Sequence, residues 1–309
     1  MMKKGLLILM TIVVSSVSAM AHGGANFEYS DILKSMKAGD KAAILVVHFG
    51  TSYDDTRAKT IDAINAKIKN EFTNFEVREA WSSRLIIKKL AKNGVKKANT
   101  SDALRKLIKD GYTHVIVQST NIMEGVEMES IRREVKALEP RFKDIRVGNP
   151  LLYAPEDYAD LVNVITKGLN KEETVFFIGH GSYDAGTAQY AMLDYMLKSK
   201  GFSNFSISTL EGYPSLADAK NLVKKGTKSI KLIPLMFVAG DHANNDINGD
   251  VKEELEEEGY KVSVELKGLG ENPEIQNLFV KHLKFVTTHK FQDILVKKAN
   301  YAGEKEHRH

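Results

Sequence analysis

Phe176-Phe177-Ile178-Gly179-His180-Gly181-Ser182 places one ligand-type side chain between two glycines, directly after an apolar run. Two later stretches are built alike, Leu210-Glu211-Gly212-Tyr213-Pro214 and Val238-Ala239-Gly240-Asp241-His242-Ala243. In each, a run short enough for a buried strand stops at glycine beside an imidazole or a carboxylate, the pattern of the C-terminal edge of a parallel sheet. The intervals are equal: 211 − 180 = 31 and 242 − 211 = 31. One strand-helix-strand step takes about that length, so His180, Glu211 and His242 are expected at the ends of three strands of one sheet. Two imidazoles and a carboxylate form a donor set for a divalent metal such as Co, Ni, Fe or Zn. Spacing alone leaves two readings open, a metal site or residues with structural roles.

Outward from these stretches, strand and helix patterns alternate. Strands are expected over 41–50, 75–81, 113–119, 145–148, 174–179, 205–210, 229–237 and 262–266, with helices at 55–72, 84–93, 100–110, 127–138, 155–169, 186–199, 216–225, 242–258 and 273–290. Such alternation defines an α/β fold with parallel sheets. Phe49-Gly50-Thr51-Ser52-Tyr53-Asp54 echoes Gly179-His180-Gly181-Ser182-Tyr183-Asp184, and Glu124-Gly125-Val126-Glu127 echoes Ala239-Gly240-Asp241-His242. A period of about 115–130 residues is too long for a solenoid and suits two similar lobes. The expected layout is therefore a lobe over 41–150 and a second over 151–296, facing each other across a cleft. Glu127 then holds in the first lobe the place His242 has in the second. Residues 22–40 read as a mobile lead-in with a short helix near 29–36, and 297–309 as a polar, disordered tail.

Composition bounds the remaining options. The 309 residues suffice for one large or two medium domains with a real core. Basic and acidic residues number 44 and 40, a net charge of +4, or +2 once Lys3 and Lys4 leave with a leader. So small an imbalance creates no field for nucleic acid or membrane. The chain contains no cysteine, which excludes disulfides, thiolate-bound zinc, Fe–S clusters and a cysteine nucleophile. Residues 1–21 read as a secretory signal: Met1-Met2-Lys3-Lys4, an apolar run from Gly5 to Val14, and Ala19-Met20-Ala21 before His22. The expected mature protein is periplasmic and carries no membrane span.

Other chemistries fit less well. Gly179-His180-Gly181-Ser182 lacks both G-x-G-x-x-G and a P-loop lysine, which disfavours a nucleotide site. No G-x-S-x-G elbow surrounds Ser182. His114, His282 and His289 read as structural or surface residues, whereas His180 and His242 sit where a strand stops and a helix begins.

Val46-Val47-His48-Phe49-Gly50-Thr51-Ser52, Gly179-His180-Gly181, Glu211-Gly212-Tyr213-Pro214, Pro234-Leu235-Met236-Phe237-Val238-Ala239-Gly240-Asp241-His242-Ala243-Asn244-Asn245-Asp246 and Gly268-Leu269-Gly270-Glu271-Asn272-Pro273 occur in this order. Together they resemble the anaerobic cobaltochelatases of the CbiK type. That resemblance implies a chelatase-like fold of two lobes, each a four-stranded parallel sheet flanked by helices. It further implies a tetrapyrrole substrate in the cleft and insertion of Co²⁺ into sirohydrochlorin on the route to cobalamin, with Ni²⁺ or Fe²⁺ as other metals. By the same resemblance His180, Glu211 and His242 are metal ligands, His180 doubles as a proton acceptor, and Glu127 is a second acceptor.

Two positions depart from the family. His48 stands where serine is usual, either as a strand-end histidine or as an extra axial ligand to a metal or haem. Asn121 stands where some relatives have histidine, so a role for that side chain does not transfer. Export sits awkwardly with a cytosolic route. An exported haem- or metal-binding protein on the same fold is thus the alternative, ahead of a periplasmic solute-binding protein. Assembly into a homo-oligomer is left open.

Overall fold

The computed structural model describes residues 26–306. The expected leader, 1–21, and residues 307–309 of the expected tail lie outside the described residues. The first lobe comprises β1 (Phe27–Tyr29), β2 (Ala42–His48), α1 (Asp54–Arg57), α2 (Ala63–Glu71), β3 (Glu76–Trp81), α3 (Arg84–Lys92), α4 (Thr100–Lys109), β4 (His114–Ser119), α5 (Val126–Leu138) and β5 (Asp144–Val147). The second comprises α6 (Pro155–Ile165), β6 (Val175–Gly181), α7 (Ala188–Ser199), β7 (Phe205–Glu211), α8 (Leu216–Asn221), β8 (Ser229–Pro234), α9 (Lys252–Glu257), β9 (Lys261–Val264), α10 (Pro273–Thr288), β10 (His289–Phe291) and α11 (Ile294–Glu306). Two π-helical segments interrupt this plan, Ala58–Asp62 between α1 and α2 and His242–Val251 ahead of α9.

Two parallel four-stranded sheets result, ordered β3-β2-β4-β5 and β7-β6-β8-β9. The two orders are the same, each lobe's first sheet strand standing second, which is the structural form of the repeat seen in the sequence. β2 reads Ala-Ala-Ile-Leu-Val-Val-His and is buried throughout, because a parallel sheet is covered on both faces. Its side chains alternate: Ile44 and Val46 enter one core, Ala43, Leu45 and Val47 another with Leu104 and Ile131. The core holding Ile44 and Val46 continues into the second lobe through Phe177, Phe205 and Ile207, with Leu161, Phe279 and Leu283 between. A third core, on the far face of the second sheet, joins Phe176, Ile178 and Leu232 to Ile247 and Leu255.

The ends of the chain differ from expectation. The lead-in forms no helix near 29–36: Phe27–Tyr29 is β1, antiparallel to β10 with Phe27 opposite Phe291. Phe27 also packs edge-on against Phe285 and Tyr153, and Ile32 is fully buried. Buried Arg146 fixes this seam, its guanidinium donating to the carbonyls of Ser30 at 2.5 Å, Val286 at 3.0 Å and Thr287 at 3.3 Å. Its charge is balanced by Asp144, 2.7 Å away. The expected disordered tail, 297–309, is helical as far as Glu306, within α11. The second unit is also not confined to its own sheet, since α10 packs against α2 and β4 of the first lobe.

Helix starts follow local chemistry. Ser83 caps α3, accepting from the Ile86 amide, and Ser215 caps α8 in a reciprocal box with Asp218. The cap of α4 is Asn99, accepting from Asp102, one residue before the Thr100 start expected from sequence. Asp54 is already helical, so the Thr51–Asp54 stretch supplies no side-chain cap to α1.

Candidate metal-transfer site

The last turn of β6 is shaped by close approaches that only glycine permits. A Cβ on Gly179 would stand 2.3 Å from the Tyr190 ring, and one on Gly181, whose φ is +93°, only 1.5 Å from the Glu211 carbonyl oxygen. Tyr190 Oη accepts a hydrogen bond from the Gly181 amide at 3.3 Å. These contacts fix the strand end and leave His180 half-buried at its tip. Glu211 ends β7, with its Cα paired to that of Gly181 on the neighbouring strand.

His242 opens the π-helical segment, and its ring lies 4.6 Å from that of His180, the planes at 80°. The His242 Nδ1–H donates to Asp246 Oδ2 at 2.6 Å. A carboxylate can only accept, so the Nε2 lone pair is left for a metal. His180 Nδ1 lies 3.3 Å from the Gly181 carbonyl; that oxygen likewise accepts, so His180 too presents Nε2. The structure thus brings the two expected imidazoles together. It sets Glu211 on the adjacent strand end, yet among the described residues no group of three or more His, Asp or Glu side chains is spaced to hold a metal ion.

Glu127 is half-buried in the first turn of α5. The preceding Gly125 approaches the second lobe closely enough that a Cβ there would lie 3.9 Å from Ser182 Oγ. Next to it, the Gln189 side chain clasps Glu124, donating to its carbonyl at 2.9 Å and accepting from its amide at 3.2 Å. The His242 loop is held from the other lobe as well. Thr56 Oγ1 donates to the Ala239 carbonyl at 3.3 Å, and Lys89 Nζ lies 3.6 Å from Asp241. A hydrogen bond to Asp241 holds the Tyr53 phenol's pKa above its usual value.

His48 is not exposed to the cleft. It is buried, with Nδ1 3.0 Å from Thr120 Oγ1 and Nε2 3.0 Å from Asn65 Oδ1. The Asn65 amide is oriented by donating to Glu79 at 2.9 Å, so His48 Nε2 is the donor and Nδ1 the acceptor from threonine. Both nitrogens are engaged, which makes this a strand-end histidine rather than an axial ligand. Asn121, two residues beyond β4, keeps a buried amide nitrogen with no hydrogen-bond partner.

Burial lowers the His48 pKa from 6.5 to about 4, against the pull of Glu79. Because the folded value lies below the unfolded one, the unfolded chain binds more protons between those pH values. Stability is full above about pH 6.5 and falls as the pH drops toward 4, by roughly 3 kcal/mol. Urea midpoints measured across that range are expected to fall more steeply for the natural chain than for His48→Ser; equal slopes would contradict the assignment.

Sequence reasoning did not single out Asp246, Tyr190, Gln189 or the Tyr53–Asp241–Lys89 contact. Asp246 could have been found, because it lies four residues from His242 and so on the same helical face. The others join residues far apart in the chain and leave no spacing signal.

The architecture is that of chelatases. SirB from Bacillus subtilis with Fe³⁺ aligns at a TM-score of 0.57 and 16% identity, covering 80% of this chain and 96% of that one. CbiX, described as the terminal enzyme for siroheme biosynthesis in denitrifying bacteria, aligns at 0.51 and 18%, covering 78% and 98%. At such identities these likenesses establish the fold. Sequence narrows the class: residues 42–288 match the model of the family described as Cobalt chelatase (CbiK), and the chain belongs to that family. It is 38% identical over 254 residues to the sirohydrochlorin cobaltochelatase of Salmonella typhimurium, covering 79% of this chain and 95% of that protein. It is 28% identical, again over 254 residues, to sirohydrochlorin cobaltochelatase CbiKC of Nitratidesulfovibrio vulgaris, covering 79% and 89%.

Proposed function

We propose that this chain inserts Co²⁺ into sirohydrochlorin or a closely related tetrapyrrole, in cobalamin-type biosynthesis. The observation that carries this is the His180–His242 pair, its rings 4.6 Å apart, in a chain of the cobalt chelatase family. Metal insertion removes two pyrrole N–H protons and delivers a partly dehydrated cation to one face of the ring, so metal must be held loosely beside a base. Imidazole serves both needs, because its pKa lies near neutrality. His180 and His242 hold the cation through Nε2, with Glu211 as the third ligand. As the cation moves to the ring, His180 Nε2 is freed and accepts one pyrrole proton, and Glu127, across the cleft, accepts the other. Asp246 keeps His242 in the tautomer that offers Nε2.

The direct test follows sirohydrochlorin absorbance after addition of Co²⁺ to the purified protein, with Ni²⁺ and Fe²⁺ in parallel. A rate well above the uncatalysed one is expected with Co²⁺. No acceleration, together with tight haem binding, would favour the storage alternative. The apolar run and A-x-A site before His22 further support action in the periplasm after cleavage behind Ala21; the N-terminal residue of the protein recovered from cells tests this. Among the described residues no helix is long and apolar enough to cross a membrane.

A further inference from the structure

The net charge of the chain is small, but its basic residues are not spread evenly. From Arg84 to Lys97 the sequence RLIIKKLAKNGVKK contains Arg84, Lys88, Lys89, Lys92, Lys96 and Lys97 and no acidic residue. Most of this stretch is α3. Its inner side, Ile86, Ile87 and Leu90, packs on the shared core, which leaves Arg84, Leu85, Lys88, Lys89 and Lys92 exposed. Leu85 is 81% exposed.

Two contacts orient this outer face. Arg84 Nη2 reaches Glu134 on α5 at 2.9 Å, and Lys89 Nζ lies 3.6 Å from Asp241, the neighbour of His242. Residues three and four apart share a helix face, so Leu85, Lys88 and Lys92 line up with Lys89 on the side turned to the His242 loop. Among the described residues Lys88 and Lys92 have no ion pair. Arg84, Lys88 and Lys92 stand at successive four-residue steps, where like charges repel. A run that opposes itself in this way is satisfied by an anion supplied from outside.

The tetrapyrrole of the proposed reaction is such an anion, since its acetate and propionate side chains are ionised at neutral pH. The opposite charge gathers on the second lobe's side of the cleft, where Glu211, Asp241 and Asp246 accompany the imidazoles. Cation and polyanion thus have separate receptors. We infer that the outer face of α3 is the carboxylate-docking surface for the macrocycle, with Lys88 and Lys92 pairing to its acidic side chains and Leu85 meeting its apolar edge. This rests on the tetrapyrrole reading of the cleft. It assigns α3 a role in substrate affinity and selectivity for carboxylate-rich rings, apart from metal capture.

The test is the double charge reversal Lys88→Glu with Lys92→Glu, read by fluorescence titration of metal-free sirohydrochlorin into the protein, without cobalt. The dissociation constant is expected to rise roughly tenfold at low salt, summed from two exposed pairs turned from attraction to repulsion, and the difference to shrink in 0.5 M salt. Lys88→Gln with Lys92→Gln is expected to shift it the same way by less, and Co²⁺ affinity to stay unchanged in both. An unchanged dissociation constant, or a rise that persists equally at high salt, would overturn the inference. Because this readout needs no turnover, an inactive natural protein would count against the proposed reaction alone.

Discussion

Replacing His180 by alanine is expected to lower the rate of cobalt insertion by at least about 100-fold, reaching 10⁴-fold if its proton-accepting role dominates, while leaving the fold in place. The two halves of that expectation come from different observations. His180 is half-buried, and its one hydrogen bond is a 3.3 Å contact with the neighbouring Gly181 carbonyl. Losing the ring creates no core cavity and strands no buried charge, so the stability change should stay within about 1 kcal/mol. The proposed chemistry needs that ring, because it lies 4.6 Å from His242 and no other imidazole lies on β6 to replace it. Stopped absorbance assays beside a urea melt separate the two effects, and full activity in the variant would remove His180 from the site. Asp246→Asn should act more mildly, weakening Co²⁺ binding about 10- to 100-fold by loosening the His242 tautomer.

Gly181→Ala is expected to do the reverse, damaging fold and site together. The added Cβ would fall 1.5 Å from the Glu211 carbonyl oxygen, on a residue with φ of +93°. Neither strand can yield easily, since β6 is paired on both sides and Tyr190 is wedged against the preceding Gly179. Strain and overpacking together should cost about 2–4 kcal/mol. Any molecules that do fold would carry Glu211 displaced from His180, so activity should fall further than the folded fraction accounts for. Gly249→Ala is the control: nothing lies within 4 Å of its Cβ position, and it should leave the denaturation midpoint nearly unchanged or higher. A Gly181→Ala protein as stable as the natural chain would refute the close approach.

The strand ends were legible because each condition acts locally. A buried parallel strand needs an unbroken apolar run, a tight exit needs glycine, and the equal 31-residue steps put His180, Glu211 and His242 on one edge. The structure keeps His180 and Glu211 on adjacent strand ends, whereas β8 stops at Pro234 and His242 comes eight residues later, opening the π-helical segment that brings its ring to that of His180. What sequence did not disclose depends on partners distant in the chain. Phe27–Tyr29 is a strand because His289–Phe291 pairs with it and Arg146 gathers the carbonyls between. His48 lost its candidacy as a ligand through Thr120 and Asn65, neither of which has any periodic relation to it. The π-helical start at His242 was equally hidden, since a Gly-Asp-His-Ala-Asn-Asn run carries no signature that separates it from an ordinary helix.

The apolar core that passes from Ile44 and Val46 to Phe177 and Phe205 makes the two sheets thermodynamically inseparable. Neither half could be expressed by itself without baring one face of its sheet to water, and heating should melt both in a single calorimetric transition.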